Sequence, residues 1–129
     1  MNGILYDARK VKLYERMQAL CVLAGESDAW GDTLWNGLLE DKELMEEMAY
    51  YLDHHCFLGK SRCEGYTLID LFVHEMDLYN LIADSGKNTE SCNKEAMVLR
   101  AFRAMMEMKK DPQRFQRKLS DGFGMDKYV

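Results

Sequence analysis

Thr67-Leu68-Ile69-Asp70-Leu71-Phe72-Val73-His74-Glu75-Met76-Asp77-Leu78-Tyr79-Asn80-Leu81-Ile82-Ala83-Asp84 is the stretch that decides the fold. Its apolar residues recur three and four apart, the period of a helix, where a strand would alternate by two. Thr67, with Asp70 three positions on, is a capping-box-like start, and Gly86 follows the expected end near Asp84. At about 100° per residue, Leu68, Ile69, Leu71, Phe72, Val73, Met76, Leu78, Tyr79 and Ile82 cover well over half the circumference. From about Asn93 to Lys110, Met97, Val98, Leu99, Ala101, Phe102, Met105, Met106 and Met108 do the same. A helix apolar nearly all round lies at the centre of its domain or in an oligomer seam, so both helices are expected there.

Working outward, a first helix is expected from about Gly3 to Ala24, with Tyr6, Leu13, Met17, Leu20, Cys21 and Ala24 on one face and Gly25 as its stop. Ser27 caps a short helix that turns Trp30, Leu34, Trp35 and Leu38 inward. Asp41 caps a third helix to about Cys56, burying Leu44, Met45, Met48, Ala49 and Leu52. Leu58–Gly65 reads as a loop. Asp111-Pro112 reads as an N-cap and first helical residue, starting a further helix to about Leu119, with Asp121–Val129 as a C-terminal tail. Pro112 is the single proline, whereas sheet-rich domains spend more proline on turns. The fold class is all-α: one bundle of five to six helices over residues 1–120, then the tail.

The chain of 129 residues, 47 % hydrophobic and 30 % charged, fits one domain with one core and excludes disorder, collagen and a disulfide-dense miniprotein. Asp7, Arg9, Lys10 and Lys12 stand where a secretory leader needs an apolar run. The apolar run Ala19–Ala24 is too short to cross a bilayer. No membrane partner is expected. Cys21, Cys56, Cys63 and Cys92 contain no Cys-x-x-Cys and read as reduced thiols packed as small apolar groups in a cytoplasm.

The net charge of −5 is unevenly spread. Residues 26–93 carry −11, whereas residues 94–118 carry +5, from Lys94, Arg100, Arg103, Lys109, Lys110, Arg114, Arg117 and Lys118 against Glu95, Glu107 and Asp111. Two oppositely charged faces, solvated or pairing across the fold, account for this pattern. A basic end meeting nucleic acid or an acidic protein is the functional alternative. The second helix contains Asp28 and Asp32 and no basic residue, so it would repel phosphates as a recognition helix.

No catalytic signature emerges around the three histidines. Asp53-His54-His55 matches the dipeptide core of Asp-His-His phosphoesterases without their parallel sheet or further aspartate motifs. His74-Glu75 lacks the zincin's second histidine, since Leu78 stands there. Tyr51, Leu52 and Leu71 stand three before the histidines, where a di-iron bundle needs glutamate. Two constellations remain as metal or ligand candidates. Asp70, His74 and Asp77 share a stripe on one helix, which is also its natural solvated strip. Glu75 sits in the apolar arc, and His55 is expected to point inward beside it. A buried carboxylate needs a partner, and His55, Arg100 or Arg103 could supply it.

Gly65-Tyr66-Thr67-Leu68 leading into Leu71-Phe72-Val73, then Met97-Val98-Leu99-Arg100-Ala101-Phe102 and Asp111-Pro112, resembles small helical proteins of unknown function from Gram-positive gut bacteria, some encoded on mobile elements. The resemblance covers the last half of the chain, implies no activity and carries over no functional residue. The expected function is therefore non-catalytic: protein–protein contact and self-association into a homo-oligomer, without a cofactor. Trp30, Trp35, Met105, Met106, Arg114 and Arg117 are the candidate interface residues. The alternative is a bundle binding a divalent metal or small ligand through His55, Glu75, His74, Asp70 and Asp77. A third reading is accessory nucleic-acid binding by Arg100, Arg103, Lys109, Lys110, Arg114 and Arg117.

Overall fold

Five helices and one short hairpin make up the computed structural model, which describes residues 8–86 and 93–113. The start of the first helix before Ala8, the expected sixth helix beyond Gln113, the tail Asp121–Val129, and Cys92, Arg114 and Arg117 lie outside the described residues. The helices are α1 (Ala8–Ala24), α2 (Asp28–Leu39), α3 (Lys42–His54), α4 (Leu68–Asp84) and α5 (Lys94–Lys110). Each start after α1 carries a side-chain cap. Ser27 Oγ accepts from Trp30 N–H at 3.2 Å, Asp41 from Leu44 at 3.2 Å and Asn93 from Ala96 at 2.8 Å. Thr67 and Asp70 close a full capping box on α4.

α5 is the central element. Nine of its residues are buried, and it packs against both α1 and α4. Phe102, Leu99 and Met105 are fully enclosed, each burial contributing about 1.5–3 kcal/mol. Asn93 Nδ2 donates to the Leu23 carbonyl oxygen at 2.8 Å, tying the start of α5 to the end of α1. At the other end, the Lys109 ammonium reaches Asp41 at 3.1 Å and Glu43 at 3.7 Å, fastening α5 to the start of α3.

Of its two expected places, centre or oligomer seam, α4 does not take the central one. Its inward face buries Leu68, Leu71, Glu75 and Ile82, while Ile69, Val73 and Met76 are 46 %, 48 % and 40 % exposed. α3 is rotated relative to the expected face. Leu44, Glu47, Met48 and Tyr51 are buried, whereas Met45, Ala49 and Leu52 are only half-buried.

The expected loop before α4 holds a small hairpin, β1 (Arg62–Cys63) paired antiparallel with β2 (Tyr66–Thr67). Its two-residue turn puts Glu64 at φ 52° and Gly65 at φ 83°. Paired positive φ values suit the right-handed twist of flanking strands, and glycine takes one at little cost. The hairpin packs on α5, with Cys63 Sγ 3.7 Å from the Met108 carbonyl oxygen.

Candidate functional site

The expected His55–Glu75 pair does not form. α3 ends at His54, and His55 follows as a left-handed cap at φ 58°, its N–H donating to the Tyr51 carbonyl at 2.7 Å. The helical wheel stops applying at that residue, so His55 is exposed, with its ring edge-on to Tyr51 at 6.0 Å. This corrects its inward assignment. Glu75 is buried as expected, and of its proposed partners it is the Arg100 guanidinium that acts on it. Burial pushes the Glu75 carboxyl above its ordinary range, and Arg100 opposes that shift. Arg103 is engaged elsewhere, 3.5 Å from Glu107 and 6.0 Å over the Trp30 ring.

The acidic stripe of α4 is divided between different tasks. Asp70 Oδ2 accepts from Thr67 N–H at 2.9 Å and from its hydroxyl at 3.1 Å. His74 is half-buried, which makes it less basic, with Asp77 acting the other way. Among the described residues, no three His, Cys, Asp or Glu side chains converge as a metal set.

The most elaborate polar arrangement was missed by the sequence reading. Glu47 is 0 % exposed and accepts three backbone N–H donors from the loop after α3. Leu58 N–H reaches Oε2 at 2.9 Å, while Lys60 and Ser61 reach Oε1 at 2.7 and 3.3 Å. A carboxylate holding three amides is a structural anchor that folds the loop back over α3. A signal was present, because Glu47 stands three and four positions from Leu44 and Tyr51 on one helical face.

The expected interface residues divide. Met105 is fully buried in the core and cannot present an outer surface, which corrects its assignment. Met106 is half-buried against Gly37, where an added Cβ would overlap its methyl group. Trp30 and Trp35 pack, partly buried, on the core. Of the described thiols, Cys21 is buried and pushed up to about 11 by desolvation, Cys63 is intermediate, and Cys56 is exposed rather than packed. The charge asymmetry is spent partly within the fold, through Lys109 with Asp41 and Glu43.

Among the described residues, Val22 and Leu23 on α1 are exposed at 71 % and 64 %, and two further surface features stand out. One is the line of Ile69, Val73 and Met76 along α4, with Leu58 and Tyr66 also exposed nearby in the chain at 38 % and 36 %. The other is a cleft of about 400 Å³ between α1 and α2. No described helix is long and apolar enough to cross a membrane. Comparison with protein-family models, curated proteins and solved structures gave no match.

Proposed function

We propose that the chain is a non-catalytic interaction module that self-associates, with the outward face of α4 as its docking surface. The observation carrying this reading is the line Ile69, Val73 and Met76, spaced at four and three residues and close to half exposed along its length. A continuous apolar helix face left to water is the usual mark of a contact surface.

Charge selects the occupant. α4 contains no lysine or arginine, and Asp70, Asp77 and Asp84 are exposed on it. Two α4 helices laid face to face would oppose like charges. Residues 112–119 offer the complement: Arg114, Arg117 and Lys118 with no acidic residue, and Phe115 and Leu119 four apart. The occupant is this segment from a second copy. Asp111 alone separates α5 from Pro112 and Gln113, so the segment starts directly at the end of α5. Each copy then gives its basic segment to the other's α4, a reciprocal contact that closes as a dimer. The free Cys21, Cys56 and Cys63 support a reducing, cytoplasmic setting.

The test is molar mass by light scattering on the full chain. Wild type is a dimer that dissociates as salt rises, because its rim is ionic. Val73→Glu is monomeric, while Val22→Glu, a control at a position 71 % exposed on α1, leaves the dimer intact. A monomeric wild type, or a Val73→Glu dimer of unchanged strength, would overturn the reading.

A further inference from the structure

We propose that the cleft between α1 and α2 binds a small organic cation, an ammonium group carried on an aromatic or apolar body. Its volume of about 400 Å³ lies in the range of small-ligand sites. Val11, Tyr14, Trp35 and Leu39 supply apolar wall, and Asp32 supplies the carboxylate.

Asp32 is held in place. Its Oδ1 accepts the Tyr14 hydroxyl at 2.7 Å and Gln18 Nε2 at 3.0 Å, both from α1. Two donors on one oxygen fix the carboxylate plane. Gly31 makes the arrangement sterically workable. A Cβ there would stand 2.7 Å from Gln18 Oε1 and 3.2 Å from Cys21 Sγ, displacing the amide that orients Asp32.

The aromatic wall is ordered by the same network. Tyr14 meets Trp35 edge-on at 5.3 Å and 72°, so its hydroxyl is directed to Asp32 while its ring borders the cleft. The hydrogen bond to Asp32 and, after it, desolvation raise the Tyr14 hydroxyl above its ordinary value and keep it a donor. Among the described lining residues Lys10 is the lone cation, on a long flexible side chain. An ionised carboxylate only accepts hydrogen bonds, and indole and phenol faces attract cations. A ligand using all three needs a positive, donating head and a flat apolar body. The cleft involves no part of α4, so this site is independent of the dimer proposed above.

Titration of ¹⁵N-labelled full chain with 2-phenylethylamine tests the assignment. The chain has two tryptophans, so two indole N–H signals report, with Trp35 identified from Trp35→Phe and Trp30 as internal control. The Trp35 signal shifts saturably with the amine, and Trp30 stays in place. 2-Phenylethanol and 3-phenylpropionate bind at least about tenfold more weakly, and Asp32→Asn weakens the amine at least about tenfold without changing the alcohol. No saturable Trp35 shift up to about 10 mM amine overturns the proposal, as does equal binding of amine and alcohol. Undiminished amine binding by Asp32→Asn also overturns it. If Asp32→Asn does not fold, the amine-to-alcohol ratio of the wild type decides alone.

Discussion

Glu47→Ala removes the acceptor for three backbone amides at once and leaves the fully buried Ser61 without its amide contact. A hydrogen bond to a charged group contributes about 1.5–3 kcal/mol net. Three would sum to more than this site delivers, because the loop around the exposed Leu58 and Lys60 rewets after the carboxylate is gone. The expected loss is therefore about 3–5 kcal/mol, most of a small domain's margin. Glu47→Gln keeps one oxygen. Oε1 serves Lys60 and Ser61 and Oε2 serves Leu58, so the amide's NH₂ must face at least one donor. Its loss is about half that of alanine. Urea unfolding followed by circular dichroism measures both variants, and hydrogen exchange at Leu58, Lys60 and Ser61 localises the effect. An alanine loss below about 1 kcal/mol, or a glutamine variant no more stable than alanine, would refute the anchoring role.

Two further substitutions test the buried polar groups. Ser61 is 0 % exposed and its Oγ makes no hydrogen bond among the described residues, so Ser61→Ala is neutral or stabilising in urea unfolding; a loss above about 1 kcal/mol would contradict this. Glu75 titrates above its ordinary range because of burial, so just above about pH 4.3 this group holds more proton in the native than in the unfolded chain. Its contribution to stability therefore falls as pH rises through that window, and Glu75→Gln shows a smaller decline between about pH 4 and 7 than wild type. Parallel stability–pH curves would count against it.

The elements were legible where local chemistry alone specifies them. Ser27, Asp41 and Thr67 announce their helices because a cap acts within three residues of itself. The central place of α5 followed from an apolar circumference that no single packed face would need. For α4 the same argument left centre or seam open, because periodicity counts apolar positions without saying which find neighbours within the chain; Ile69, Val73 and Met76 find few. His55 was misread because one left-handed residue ends the wheel on which its direction was drawn. Glu47 was missed because a carboxylate in an apolar arc has meaning only once the loop that donates to it has folded back. The hairpin turned on positive φ at Glu64, which its residue type does not advertise.

The central claim is that a second copy's basic segment occupies the acidic, apolar face of α4, and a charge exchange tests it directly. One chain carries Asp77→Lys and Asp84→Lys; another carries Arg114→Glu and Arg117→Glu. Each alone places like charges across both contacts, and mixing them restores opposite charges at both. Light scattering should find monomers of each variant alone and a one-to-one dimer in the mixture. Dimers of either variant alone as strong as wild type, or a mixture that stays monomeric while wild type dimerises, would contradict the account.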